Sequence, residues 1–207
     1  MKQKIDLIER IINHLLIHSP FIKDIGLYHG KMGIAIAFYH YSLYSHDIIY
    51  SKYADELVEQ IYDSIHSNLP INMEYGLCGI AWGICYLIQQ NFVEGEVNEI
   101  LDEIDSKIME RSLLYMKDMT LSTGLEGIYI YVLERKKLAK MQKSQIPFDS
   151  TYLHTLDKVV SINSINYTDS MINRFVAPII KKESKLQNFS LGLNNGCAGY
   201  IYKNISI

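Results

Sequence analysis

"GLYHGKMGIAIAFYHYS", residues 26–42, decides how the rest of the chain is read. It sets two glycines three apart, Gly30 and Gly33, ahead of a run of mostly Ile, Ala, Phe and Tyr without Asp, Glu, Lys or Arg. Glycine in a helix interior costs about 1 kcal/mol relative to alanine, so the pair belongs to a turn that opens a buried helix. The pattern returns three times, as Gly76-Leu77-Cys78-Gly79-Ile80-Ala81, Gly124-Leu125-Glu126-Gly127-Ile128-Tyr129 and Gly196-Cys197-Ala198-Gly199-Tyr200-Ile201. The first glycines are 46, 48 and 72 residues apart. A single G-x-x-G is weak, but four in near register mark a repeat architecture in which each copy is one supersecondary unit.

The segments between the turns differ in texture. Ile5, Ile8, Ile11, Ile12 and Leu15 recur at helical spacing, as do Tyr53, Leu57, Ile61 and Ile65, and Val97, Ile100, Leu101, Ile104 and Ile108. These are helices with one wet face, whereas the runs after the glycine turns are apolar on nearly every side and must be enclosed. The chain is therefore expected to alternate outer and inner helices: 3–18 then 31–44, 49–68 then 77–90, 96–112 then 125–140, with a last inner helix from Gly196. Inner helices side by side, covered by outer ones, form a helical array. Absence of a side chain at the turns is expected to allow positive φ and close backbone approach. Unsatisfied helix N–H groups would make a weakly electropositive mouth there. The stretch "KKLAKMQKSQIPFDS", 136–150, reads as an exposed connector.

Composition bounds the function. At 207 residues and 48% hydrophobic, residues 1–207 suit one domain with a sizeable core. A net charge of −3 with interspersed signs offers no footprint for nucleic acid or an anionic membrane. No stretch is long and apolar enough for a membrane span, and the N-terminus does not read as a signal peptide. Three cysteines without a CxxC fit a reducing cytoplasm.

At the glycine turns the chain resembles the lanthionine synthetase C-like (LanC-like) family, whose inner helices open with G-x-x-G-[IY]. "GKMGIAIAFYHYS", "GLCGIAWGICYLIQQNFVE" and "EILDEIDSKI" look most like small members encoded in the Bacteroidetes. The resemblance runs from about Ile25 to Tyr200 and is least clear between Lys140 and Gln187. It implies an all-α fold, an α/α toroid of helical hairpins, here partial because four turns are visible where family cyclases close about seven hairpins. An open ring would leave inner-helix surface for self-association or a partner chain. The resemblance also implies that cyclases hold zinc through a Cys in a C-x-G turn and a Cys-His pair before a later first glycine. Here the two positions before each first glycine are Tyr28-His29, Glu74-Tyr75, Ser122-Thr123 and Asn194-Asn195, and only His29 matches.

The candidates follow from that. His29, Cys78 and Cys197 would supply a Cys/Cys/His zinc set if the turns converged, against the bland reading of two small buried packing residues and a histidine bound to a carbonyl. His29 and Glu126 are the candidate acid/base groups, Glu126 otherwise being a favourable acid at a helix start. Tyr28, Leu77 and Trp82, with Tyr39, Tyr41, Tyr86 and Tyr129 behind them, would form a peptide-binding wall, although aromatics on enclosed helices are usually core. The reading is an accessory or peptide-binding factor in maturation of a ribosomally made peptide, without a recognisable zinc triad or other cofactor, its partners the peptide or a maturation enzyme. The alternatives are a zinc-dependent thioether-forming peptide cyclase and a carbohydrate-acting toroid enzyme, the latter needing Glu74 and Glu126 as its carboxylate pair.

Overall fold

The structure is a computed structural model that describes residues 2–163, 172–176, 186 and 189–205. Its regular elements are helical: α1 Lys2–His18, α2 Lys31–Ser45, α3 Ile49–Ser64, α4 Leu77–Gln89, α5 Val97–Met109, α6 Leu125–Met141, α7 Ser150–Ile162, α8 Ile172–Phe175 and α9 Cys197–Ile205. The expected alternation is present. Helices α2 and α4 are buried along most of their length, whereas α3 buries only Ala54, Leu57 and Ile61.

The chain divides into two compact units. The first comprises 1–65 and 170–207; in it α2 packs on α3 and α9, and α1 also touches α9. Tyr39 Oη donates to Asp55 at 2.5 Å, tying the enclosed α2 to the one-sided α3, and Lys31 Nζ donates to Gln60 at 2.6 Å. The second unit comprises 66–169; in it α4 packs on α5 and α6, and α6 also touches α5 and α7. There Asp105 on α5 is fully buried, accepts from Tyr131 Oη, and pairs with Arg135 Nε of α6 at 2.9 Å. The same guanidinium donates through Nη2 to Asn98 Oδ1 at 2.7 Å. Burial pushes the Asp105 carboxyl up to about 6, against the opposing pull of Tyr131 and Arg135.

Two expectations change. Helix α7 fills part of the interval in which no helix was anticipated, started by Asp149, whose side chain accepts from Tyr152 N at 2.6 Å. Residues 136–141 are the last turns of α6, with Leu138 and Ala139 buried, and Phe148 is buried too, so the basic stretch is not simply a loop. Lysines at exposed positions of a helix imitate a connector in composition while every third or fourth residue still faces the core.

The inner helices stop without glycine. His46, Asn91 and Lys143 adopt left-handed φ of 56°, 57° and 54° just past α2, α4 and α6. Beyond them the N–H groups of Asp47, Phe92 and Ser144 return to the carbonyls of Ser42, Leu87 and Ala139. This is the bond that closes a Schellman motif.

Candidate functional site

Each glycine turn is a ten-residue unit rather than a glycine pair. Its upstream halves are Asp24-Ile25-Gly26-Leu27-Tyr28-His29, Pro70-Ile71-Asn72-Met73-Glu74-Tyr75, Asp118-Met119-Thr120-Leu121-Ser122-Thr123 and Ser190-Leu191-Gly192-Leu193-Asn194-Asn195. Each half folds back over the first turn of the helix it precedes. The first helical N–H groups, of Lys31, Leu77, Leu125 and Cys197, donate to the carbonyls of Asp24, Pro70, Asp118 and Ser190 at 3.0, 2.9, 2.9 and 2.8 Å. Gly79 and Gly199 do the same to Asn72 and Gly192 at 3.1 and 3.2 Å. The first N–H group that each helix start leaves bare is thus taken up by the chain's own loop.

That geometry corrects two expectations. None of the glycines has positive φ among the described residues; Gly30, Gly76 and Gly124 are extended at φ −101°, −115° and −112°. Glycine is required by closeness instead: a Cβ on Gly76 would lie 2.0 Å from Pro70 O, and one on Gly33 would lie 2.3 Å from Leu27 O. At the expected mouth of free N–H donors, loop carbonyls already accept the first N–H of each of these helices.

The turns dock in pairs inside each unit. In the first, Asn194 N donates to Tyr28 O at 2.9 Å, and Leu193 sits where a Cβ of Gly33 would be 2.8 Å from its Cγ. In the second, Met73 N and Glu74 N both donate to Ser122 O at 3.0 Å, and Met73 Cβ lies 3.0 Å from the position of a Gly127 Cβ. The apolar residue three before one turn's first glycine therefore seats on the second glycine of its partner.

Tyr28, Leu77 and Trp82, expected to face a peptide, are buried; Tyr28 packs on Phe175 with centroids 5.6 Å apart, and Trp82 stacks on Tyr86 at 5.3 Å. Tyr39 and Tyr41 are buried as well, while Tyr86 and Tyr129 are half-buried. His29, Glu74 and Glu126 are half-buried. Cys78 and Cys197 are completely buried. Burial pushes the Cys78 thiol well up, reinforced by the Asp105 carboxylate, and pushes the Cys197 thiol up to about 11. A zinc-binding thiolate needs the opposite field. His29 and Cys197 belong to the first unit and Cys78 to the second. Among the described residues no three His, Cys, Asp or Glu side chains gather in a way that could hold a metal ion. The residue just before the first glycine is turned to solvent in three of the turns, as Tyr75, Thr123 and Asn195, with His29 half-covered; Pro70, Asp118, Thr120 and Ser190 are exposed as well.

The family model for "Lanthionine synthetase C-like protein" matches residues 21–205. The chain belongs to the lanthionine synthetase C-like family. No curated protein and no solved structure gives a match. As a LanC-like protein it carries the family's all-α hairpins opened by glycine turns, and no helix among the described residues is long and apolar enough to cross a membrane.

Sequence reading missed the polar half of the LanC-like turn. Asp24 Oδ1 accepts from Gly26 N at 2.7 Å, and Asp118 accepts from Thr120 N, Thr120 Oγ1 and Thr123 Oγ1 at 2.9, 2.7 and 2.6 Å. Those bonds hold the Asp118 carboxyl below the usual carboxylate range. The signal was available as an Asp six before the first glycine with a Gly or Thr two later. Beside this third turn, the link from α5 and Thr123 enclose a cleft of about 480 Å³, within the range of small-ligand sites.

Proposed function

We propose that this LanC-like chain binds a ribosomally made peptide and assists its maturation without performing zinc-dependent ring closure. The observation that carries this reading is the contrast at the glycine turns: Cys78 and Cys197 are buried with raised thiol pKa, while Tyr75, Thr123 and Asn195 are among the residues turned outward. Phenol, hydroxyl and amide groups hydrogen-bond a peptide backbone and stack on its side chains, but they do not activate a thiol. The second unit offers the better platform, because Tyr75 and Thr123 stand on two turns already joined through Ser122 O. The partner is then the peptide or an enzyme acting on it, with a second copy of the chain a further candidate. Three free cysteines suit a reducing cytoplasm.

The test uses the full chain purified without chelator and a peptide bearing a free thiol and a dehydroalanine. The expected result is peptide binding that survives Cys78→Ala and Cys197→Ala, weakens in Tyr75→Ala, and is accompanied by neither stoichiometric zinc nor loss of free thiol. Stoichiometric zinc together with thiol consumption, both abolished by either cysteine substitution, would establish the cyclase instead.

A further inference from the structure

The cleft beside the third glycine turn carries two cations and one carboxylate in its lining. Arg111 and Lys117 line it, both exposed, together with Tyr115, whose side chain is 85% exposed next to the 66% exposed Leu114. Of the acids nearby, one is paired with another cation and one lines the cleft. Glu110 pairs with Lys107 at 2.6 Å. Asp118, which also lines the cleft, is held in place by the Thr120 and Thr123 bonds and keeps its negative charge, so two cations face one carboxylate there. Among the described residues no carboxylate lies within ion-pair distance of Arg111 or Lys117.

Two uncommitted cations beside an aromatic ring held in water form a recognition surface with a definite chemistry. The guanidinium offers a planar fork of donors to a carboxylate, and the ammonium a point charge. The ring offers a flat apolar contact at low entropy cost. The net charge of −3 means that bulk electrostatics repel acidic ligands. A ligand that gathers here must therefore do so through the local arrangement.

We propose that this cleft binds an acidic peptide segment in which a carboxylate stands beside a bulky apolar side chain, the carboxylate on Arg111 and Lys117 and the apolar group on Tyr115. The proposal rests on the peptide-binding reading above and names a part of the peptide that the reading leaves open. The cleft and the turn surface of Tyr75 and Thr123 meet at Thr123, so a single extended peptide touching that turn continues into the cations.

Calorimetric titration of the full chain with Ac-Glu-Leu-Asp-Phe-NH2 and its uncharged counterpart Ac-Gln-Leu-Asn-Phe-NH2 tests it on unaltered protein. The acidic peptide is expected to bind at least tenfold more tightly, with affinity falling as salt rises. The double variant Arg111→Gln/Lys117→Gln should lose at least tenfold, Tyr115→Ser a smaller factor, and the charge-matched Lys140→Gln/Lys158→Gln nothing. Equal binding of the two peptides, no binding of either, or equal losses in both double variants would overturn the proposal. So would displacement of the peptide by inorganic phosphate at comparable concentration, which would make the cleft a phosphate site. If Arg111→Gln/Lys117→Gln leaves both the acidic tetrapeptide and the thiol peptide bound, the cleft assignment fails while peptide binding stands; if wild type binds neither peptide, both fail.

Discussion

Gly33 and Gly95 separate two reasons for being glycine. A Cβ on Gly33 would meet the Leu27 carbonyl at 2.3 Å and Leu193 Cγ at 2.8 Å, one of them backbone that cannot give way without undoing the turn. A Cβ on Gly95 would meet only the tip of Ile100, Cδ1 at 2.6 Å, which can rotate aside. Gly33→Ala should therefore lower stability by about 1–3 kcal/mol or more, the usual cost of overpacking, while Gly95→Ala should change it by less than about 0.5 kcal/mol. Urea midpoints of the two variants decide it, and equal midpoints would remove the close-approach account. The glycine pairs were legible in the sequence because they recur four times, and at Gly30, Gly33, Gly76, Gly124, Gly127, Gly196 and Gly199 a Cβ would strike backbone. Their cause was not, since positive φ and crowding select the same residue and only the backbone distinguishes them. Cys78 and Cys197 illustrate the same limit: spacing placed them in the turns but carried no information on which way the sulfur points.

At the scale of elements, the inner helices stop within one residue of the expected 44, 90 and 140, at Ser45, Gln89 and Met141, but the device that stops them was not legible. The starts carry G-x-x-G, whereas α2, α4 and α6 end on His46, Asn91 and Lys143 in the left-handed region, where glycine would have announced them. A non-glycine residue pays about 1–2 kcal/mol there. Lys143→Gly should raise stability by up to about 1 kcal/mol, part of the relief being lost to the greater freedom of the unfolded glycine; a fall in melting temperature would refute it. The Asp105–Arg135 pair, hidden in the sequence as one acid and one base among many, makes a second prediction. The folded Asp105 carboxyl sits near 6, above its ordinary value. A raised folded pKa favours the folded state below the unfolded value and loses that contribution as pH rises through the folded one. The stability of the native chain relative to Asp105→Asn should therefore fall between about pH 4 and pH 6 and be level above. Arg135→Gln should shift that window upward and cost about 3–5 kcal/mol at neutral pH, since it strands a buried acid. Urea unfolding at several pH values reads both, and a flat difference would show that the carboxyl titrates as it does when unfolded.

For the whole molecule, self-comparison of the sequence showed that four turns exist but not which of them touch. All four turns carry the same marks, two glycines and an apolar residue three before the first, so the pairing of the first turn with the fourth and of the second with the third was not written in the repeat itself. Helix α7 escaped for a related reason: it lies in the one interval without a glycine signal, and Tyr152, Leu156, Val159 and Val160 supply a short apolar stripe. The first unit is the one that joins distant parts of the chain, 1–65 with 170–207. Its closure places Leu193, fully buried, over Gly33. Truncating that side chain deletes a buried contact between residues far apart in sequence and leaves a void beside a helix start, which in cores costs about 2–5 kcal/mol. The loss should be local before it is global. Leu193→Ala should speed hydrogen exchange at α2, read at residues 31–45, and at the Asn194 amide that donates to Tyr28. Met73→Ala, the matching change in the second unit, should instead speed exchange at α6, residues 125–141, because Met73 seats on Gly127. Each variant then marks its own unit as a cooperative block of the kind that opens independently. Equal deprotection of α2 and α6 by either substitution would show that the two units open together.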